Sequence, residues 1–252
     1  MHRLSPVILA LTLTAAAHCF AETAKPEAGK QVQQSFTHAR PDGTKAELGY
    51  WLYLPKPDPA KPPAKPPLVL FLHGSGERGH NLDLVKKHGP PKLIGKFPEL
   101  DGCIVVSPQC PPQQWWDTTV VKALCDAVIQ THHADENRIY LTGLSMGGFG
   151  TWTLLAEHPS FWAAAIPICG GGKPDAAEKF KDVPIWVFHG TRDEAVPLKA
   201  SEEMIAALKK SGGKPKFTVY PDLAHDCWTT AYNDAETWRW LLQQHTAKRP
   251  EK

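Results

Sequence analysis

Beyond residue 17 the chain contains no apolar run approaching the ~20 residues that a membrane-spanning helix needs. An excess of one charge is missing too. The 28 Lys and Arg residues against 26 Asp and Glu leave a net charge of +2, with both signs interspersed. Neither nucleic acid nor an acidic membrane surface is expected as a partner. Cysteines number only six. Discounting Cys19 leaves Cys103, Cys110, Cys125, Cys169 and Cys227, an odd count in which at least one thiol stays free. No internal repeat is present. Two lookalike motifs fail: "CGGGKP" at 169–174 lacks the opening glycine of a phosphate loop, and adjacent His132 and His133 lack the i, i+4 spacing of helical zinc ligands. No cofactor and no metal are expected.

What is present begins with a targeting segment. Met1-His2-Arg3 is a short basic start, and "LSPVILALTLTAAA" at 4–17 is an apolar stretch too short to span a bilayer comfortably. Cleavage after Ala21, with Cys19 at the −3 position, fits a small-residue processing site. Residues 1–21 are therefore expected to be a signal peptide and the mature chain to be secreted or periplasmic, with no membrane insertion after cleavage. Residues 22–252 are compatible with a single α/β domain.

Alternating polar and apolar residues from Gln33 to Leu54, around Pro41-Asp42-Gly43, predict an antiparallel hairpin. The prolines of "PKPDPAKPPAKPP" at 55–67 rule out helix or interior strand there and predict a stiff surface connection. Short apolar runs follow at Leu68–Leu72, Ile104–Val106, Ile139–Leu141, Ala163–Ile168, Ile185–Phe188 and Phe217–Tyr220. They are continuous rather than alternating, the pattern of buried strands in a parallel sheet covered on both faces. Helical spacing joins Val121, Leu124, Cys125 and Val128, then Met204, Ile205 and Leu208, and finally Ala231, Ala235, Trp238 and Leu242. Strand and helix in alternation predict a mostly parallel, doubly wound α/β sheet.

In such a sheet, ligands bind beyond the carboxyl ends of the strands. The segments there are "HGSGERG", "SPQCPPQQWWD", "TGLSMGG", "HGTRDEAVP" and "PDLAHDCW". A serine hydroxyl needs a base to become a nucleophile, and a sharp strand-to-helix turn to hold it clear of the sheet. Gly143, Gly147 and Gly148 leave room for that turn around Ser145. His225 is the only histidine between the last expected strand and the final helix, and is the candidate base. Asp193 lies in a short turn after the Ile185–Phe188 run, closed by Pro197, and is the candidate acid. The order serine, acid, histidine is that of hydrolases built on this sheet. An oxyanion hole needs two backbone N–H groups. Met146 follows the serine, and Ser75 or its neighbour Gly74 supplies the second. Glu77 and Arg78 are expected to pair and hold that loop. Adjacent Trp115 and Trp116 are candidates for substrate binding, with packing under a lid as the alternative.

The blocks "LVLFLHGSGERG", "RIYLTGLSMGGFGTW", "AAAIPICGGG", "VFHGTRDEAVP" and "AHDCW" resemble, in order, those of exported α/β-hydrolases of the carboxylesterase and "predicted peptidase" group, which includes dienelactone-hydrolase-like proteins. The resemblance implies the α/β-hydrolase fold and ester hydrolysis by Ser145, Asp193 and His225. The implied substrate is a small ester or a polymer side group, such as an acetyl or feruloyl ester. A serine peptidase, an acyltransferase and a non-catalytic binding module on the same fold are the alternatives.

Overall fold

The computed structural model describes residues 25–57 and 65–246. The expected signal peptide and the middle of the proline-rich connection lie outside them.

Strands β1 (Gln31–Ala39) and β2 (Lys45–Tyr53) form the expected antiparallel hairpin. Its turn is closed by the Asp42 carboxylate, which accepts from the Thr44 amide at 2.9 Å and hydroxyl at 2.6 Å. Then come β3 (Leu68–Leu72), β4 (Ile104–Pro108), β5 (Ile139–Leu144), β6 (Ala164–Ile168), β7 (Trp186–Gly190) and β8 (Lys216–Tyr220). The eight strands run in the spatial order β1-β2-β4-β3-β5-β6-β7-β8. All pairs from β4 to β8 are parallel, and β2 joins β4 antiparallel.

Short helices α1 (Gly89–Leu93) and α2 (Pro98–Asp101) precede three longer helices and a closing pair. These are α3 (Thr118–His132), α4 (Met146–Glu157), α5 (Lys199–Lys210), α6 (Cys227–Tyr232) and α7 (Ala235–Leu242), with a 3-10 segment at Pro174–Phe180. Alternate strand residues feed two cores. Leu68, Leu70 and Leu141 pack with Leu124 of α3, Trp152 of α4 and Met204 of α5. Val69, Phe71 and Tyr140 pack on the opposite face with Leu93, Tyr232 and Trp238. Burying each leucine or valine contributes roughly 2 kcal/mol, enough to fix which face each residue takes.

Two expectations need correction. The run at 217–220 is not buried: β8 is the edge strand, and its side chains are half-buried or exposed. The final helix is broken in two, because the Asp234 side chain accepts from the Glu236 amide at 2.9 Å and starts α7 afresh. That break lets the Trp238 indole donate to the Tyr232 carbonyl at 2.9 Å while remaining wholly buried.

The register aligns the strand ends that matter. Leu72 lies opposite Gly143, Leu144 opposite Ile168, Ile168 opposite Phe188, and Gly190 opposite Tyr220. Strand order reverses between β3 and β5, so the loops after these strands meet at the sheet's topological switch point.

Candidate active site

Ser145 stands between β5 and α4 with φ 53° and ψ −117°, outside the conformations an L-residue ordinarily adopts. Holding it there costs on the order of 1–3 kcal/mol, offset by the surrounding structure. Close packing at the turn explains its glycines. A Cβ at Gly147 would sit 1.9 Å from the Leu72 carbonyl oxygen, and one at Gly143 would sit 2.3 Å from that of Gly147. The Ser145 amide is anchored to the Ile168 carbonyl at 3.0 Å. The strained turn therefore directs the side chain away from the sheet edge.

The structure brings Ser145, Asp193 and His225 together. His225 Nε2 lies 2.9 Å from Ser145 Oγ, and His225 Nδ1 lies 2.7 Å from Asp193 Oδ2. A carboxylate can only accept, so Nδ1 carries the proton and Nε2 is left to accept from the serine hydroxyl. Asp193 is buried. Its other oxygen accepts from the amides of Ala195 at 3.0 Å and Val196 at 2.8 Å. The acid and histidine loops are knitted by the Arg192 amide donating to the Leu223 carbonyl at 2.9 Å, and by an ion pair between Arg192 and Asp222.

The opposite wall is the loop after β3. Gly74 approaches the serine closely: a Cβ there would lie 3.5 Å from Ser145 Cβ. Ser75 opens a 3-10 turn, Ser75–Glu77, and Met146 opens α4. Amides in a first helical turn have no intrahelical acceptor, so both starts carry N–H groups with no partner inside their own turn. Burial and geometry make His73 the support of this loop, a role that sequence reasoning missed. Its Nδ1 donates to the Gly74 carbonyl at 2.6 Å, and its Nε2 accepts from the Cys110 amide at 2.9 Å. Burial lowers its pKa to about 4, so it stays neutral with the proton on Nδ1. The only signal in sequence was its place between a buried strand and Gly74.

The expected Glu77–Arg78 pair is absent among the described residues. Arg78 donates instead to the carbonyls of Ser75 at 3.0 Å and Gln114 at 3.2 Å, joining the loop after β3 to the one after β4. Glu77 turns inward, 3.8 Å from His88 Nε2. Its glycine-rich neighbours gave no hint of that direction.

The two tryptophans separate. Trp116 is only 9% exposed, lies 4.7 Å from the His73 ring and donates to the His73 carbonyl at 3.3 Å. It is a core residue beneath the loop, so the substrate-lining expectation fails for it. Trp115 is 65% exposed and meets Phe149 edge-on at 5.9 Å. Phe149 lies one turn into α4, with its amide bonded to the Ser145 carbonyl at 3.1 Å. Beyond this aromatic pair opens a cleft of about 630 Å³, lined also by Trp152, Gly171, Gly172 and Lys173.

A thiol lies under the three residues. Cys169, with φ 40°, places its sulfur within 4.8 Å of donor atoms of Asp193 and His225. Burial pushes this thiol well up, and a hydrogen bond with Cys227 adds to the effect. Asp193 and His225 are already bonded to each other, so the cluster is a hydrogen-bonded line with a neutral thiol beside it. All five cysteines in the described residues are buried, and none of them forms a disulfide there.

Comparison with known proteins gives the family and the fold. Residues 112–238 match the dienelactone hydrolase family. A bifunctional acetylxylan esterase/xylanase of Neocallimastix patriciarum is 28% identical over 143 residues, 54% of this chain and 20% of that protein. An uncharacterized peptidase of Bacillus subtilis is 25% identical over 146 residues, 45% of this chain and 22% of that protein. The chain thus spans about a fifth of the length of either relative. The crystal structure of a thermostable esterase is 36% identical with a TM-score of 0.71, over 84% of this chain and 63% of that one. The fold is that of the α/β-hydrolases. With half its length matched, from the loop of Trp115 through Ser145, Asp193 and His225 to α7, the chain belongs to the dienelactone hydrolase family.

Proposed function

We propose that this protein hydrolyses carboxylic esters through an acyl-enzyme formed on Ser145. The observation that carries the proposal is the unbroken hydrogen-bond line from Ser145 Oγ through His225 to the buried Asp193 carboxylate. In the first step His225 Nε2 takes the hydroxyl proton as Ser145 Oγ bonds to the ester carbonyl carbon. The developing oxyanion is held by the Met146 amide and that of Ser75 or Gly74. The tetrahedral intermediate collapses as the ester C–O bond breaks, and His225 returns the proton to the departing alcohol. Water then repeats the sequence: it loses a proton to His225, attacks the acyl carbon, and releases the acid and the free serine. Asp193 stays ionised and keeps the imidazole in the correct tautomer.

For the substrate, the cleft lined by Trp115 and Phe149 does not include Ser145 or His225, and its aromatic surface suits a planar or ring-bearing part of the substrate away from the scissile bond, as in acetylated or feruloylated polymer side groups. Its volume of about 630 Å³ falls in the range of small-molecule sites. The acetylxylan esterase relative supports the same class. Export through the basic start and apolar segment at 1–21 would place the protein where such polymers occur. Cell fractionation tests that placement, and recovery in the cytosol with an intact leader refutes it.

Peptide hydrolysis is the second reading, favoured by the peptidase relative. Turnover of p-nitrophenyl acetate, p-nitrophenyl decanoate and methyl ferulate, measured beside matched p-nitroanilides, separates the two. Ester turnover that vanishes in Ser145→Ala is the expected result. Turnover equal in both proteins ends the proposal, and anilide turnover exceeding that of the esters replaces it with the peptidase.

A further inference from the structure

The carboxylate of Asp193 serves two imidazoles. His189, the fourth residue of β7, is wholly buried. Its Nε2 lies 3.2 Å from Asp193 Oδ2, the oxygen that also accepts from His225 Nδ1. The same Nε2 lies 2.9 Å from the Val196 carbonyl. Both neighbours of Nε2 are acceptors, so Nε2 carries a proton; it donates that proton to the Val196 carbonyl, and Asp193 Oδ2 lies beside the N–H as a close electrostatic contact. Nδ1, 2.8 Å from Ser201 Oγ, is then free to accept from that hydroxyl. Ser201 Oγ also lies 3.1 Å from the Gly170 carbonyl, a second acceptor that competes with Nδ1 for the one hydroxyl hydrogen. The ring cannot flip without breaking the contacts on both its nitrogens.

We propose that His189 is a positioning residue for the reaction: a buried imidazole whose N–H edge lies against the Asp193 carboxylate opposite His225, fixes where that carboxylate sits and limits how strongly it holds the His225 proton. The inference rests on the ester-hydrolase reading above. His189 transfers no proton; its Nε2 hydrogen stays in place throughout turnover. Its effect is electrostatic. The positive end of the His189 N–H dipole beside Oδ2 offsets part of the carboxylate charge, so the imidazolium formed during attack is stabilised less than by a carboxylate without that neighbour. The base thereby remains free to accept a proton at lower pH.

The surroundings leave few competing charges. Cys169 at the end of β6 and Tyr220 on β8 are held in their neutral forms by burial, the phenol being pushed up to about 12. Cys227 on α6 is the third ionisable group packed near β7. From α5 only Ser201 reaches the ring, while Lys199, Glu202 and Glu203 are exposed. Arg192 and Asp222 pair with each other on the exposed side of the loop. The charged groups facing His189 are therefore Asp193 itself and, when protonated, His225.

The test is the pH profile of kcat/KM on p-nitrophenyl acetate for wild type, His189→Leu and His189→Gln, with thermal unfolding of each. Leucine removes the donor, whereas glutamine can return an N–H close to Nε2. With leucine the acidic limb is expected to move up by about one pH unit, which lowers activity about tenfold on that limb, with KM unchanged. Glutamine should move the limb back toward wild type. A leucine variant with an unshifted limb and only a lower Tm would make His189 a packing residue and overturn the proposal. If leucine prevents folding, Ser201→Ala supplies the second test, since it frees the ring to turn. A small shift of the limb in the same direction supports the proposal, and an unmoved limb overturns it. The C–H proton resonances of His225, titrated by NMR in wild type and His189→Gln or Ser201→Ala, need no substrate. A change in that titration supports the shared carboxylate even if no ester is turned over, and identical titrations refute it independently of the ester reading.

Discussion

The two walls of the site are built differently. On one side, beyond β5, β7 and β8, Ser145, His225 and Asp193 touch through their own side chains. On the other, beyond β3 and β4, the groups proposed to hold the oxyanion are backbone amides, on loops braced by His73, Trp116 and Arg78. On the proposed mechanism, removing a group from the first wall removes a chemical participant. Removing one from the second lets a loop relax and shifts donors by a fraction of an ångström, which electrostatic stabilisation tolerates poorly. The first wall should therefore fail in kcat alone, the second in stability and kcat together.

The largest expected effect tests the first wall. Ser145→Ala should lose about 10⁴-fold or more in kcat on p-nitrophenyl acetate, with Tm unchanged or raised because the strained turn loses nothing it needs. Asp193→Asn should cost about 10³–10⁴-fold near neutral pH, since an amide can present an N–H to His225 and favour the wrong tautomer. An Asp193→Asn enzyme with full activity would remove that residue from the mechanism.

On the second wall, Trp116→Ala should destabilise the fold by about 3–5 kcal/mol, read by urea unfolding, and lower kcat as well. Trp115→Ala, one residue away, should leave stability within about 0.5 kcal/mol and raise KM several-fold for methyl ferulate more than for p-nitrophenyl acetate. Reversed behaviour of the two tryptophans would mean that the loop after β4 packs differently in solution.

His73 supplies the most diagnostic effect. Its pKa in the fold, about 4, lies below the 6.5 of an unstructured histidine. Between those values the unfolded chain binds the proton and the folded one does not, so stability rises with pH across that window and is lost as pH falls. The full difference is about 3 kcal/mol at most. Urea unfolding at pH 7 and pH 4.5 should show a smaller drop in His73→Gln than in wild type. Equal drops would assign the acid sensitivity elsewhere.

Much of the first wall was legible in sequence because each of its parts leaves a local mark. A glycine-flanked serine after an apolar run, an aspartate in a turn after another, and a histidine before the last helix each sit where the strand pattern ends. The hairpin was equally legible from alternation and its Asp-Gly turn. The second wall was not, because its logic is long-range. Trp115 and Trp116 are equivalent in sequence, yet one packs on His73, 43 residues away, while the other meets solvent. Glu77 and Arg78 are neighbours of opposite charge that turn to different partners. The break between α6 and α7 was hidden because its apolar spacing continues across Asp234.

The sequence by itself determined the layered α/β architecture and the residue types at the carboxyl ends of its strands, since periodicity and glycine placement act over a few residues. Only the tertiary structure decided which side chains share a partner. Whether His189 joins His225 on Asp193 depends on the parallel register of β6, β7 and β8 and on the burial it imposes, and that register is a property of the whole sheet.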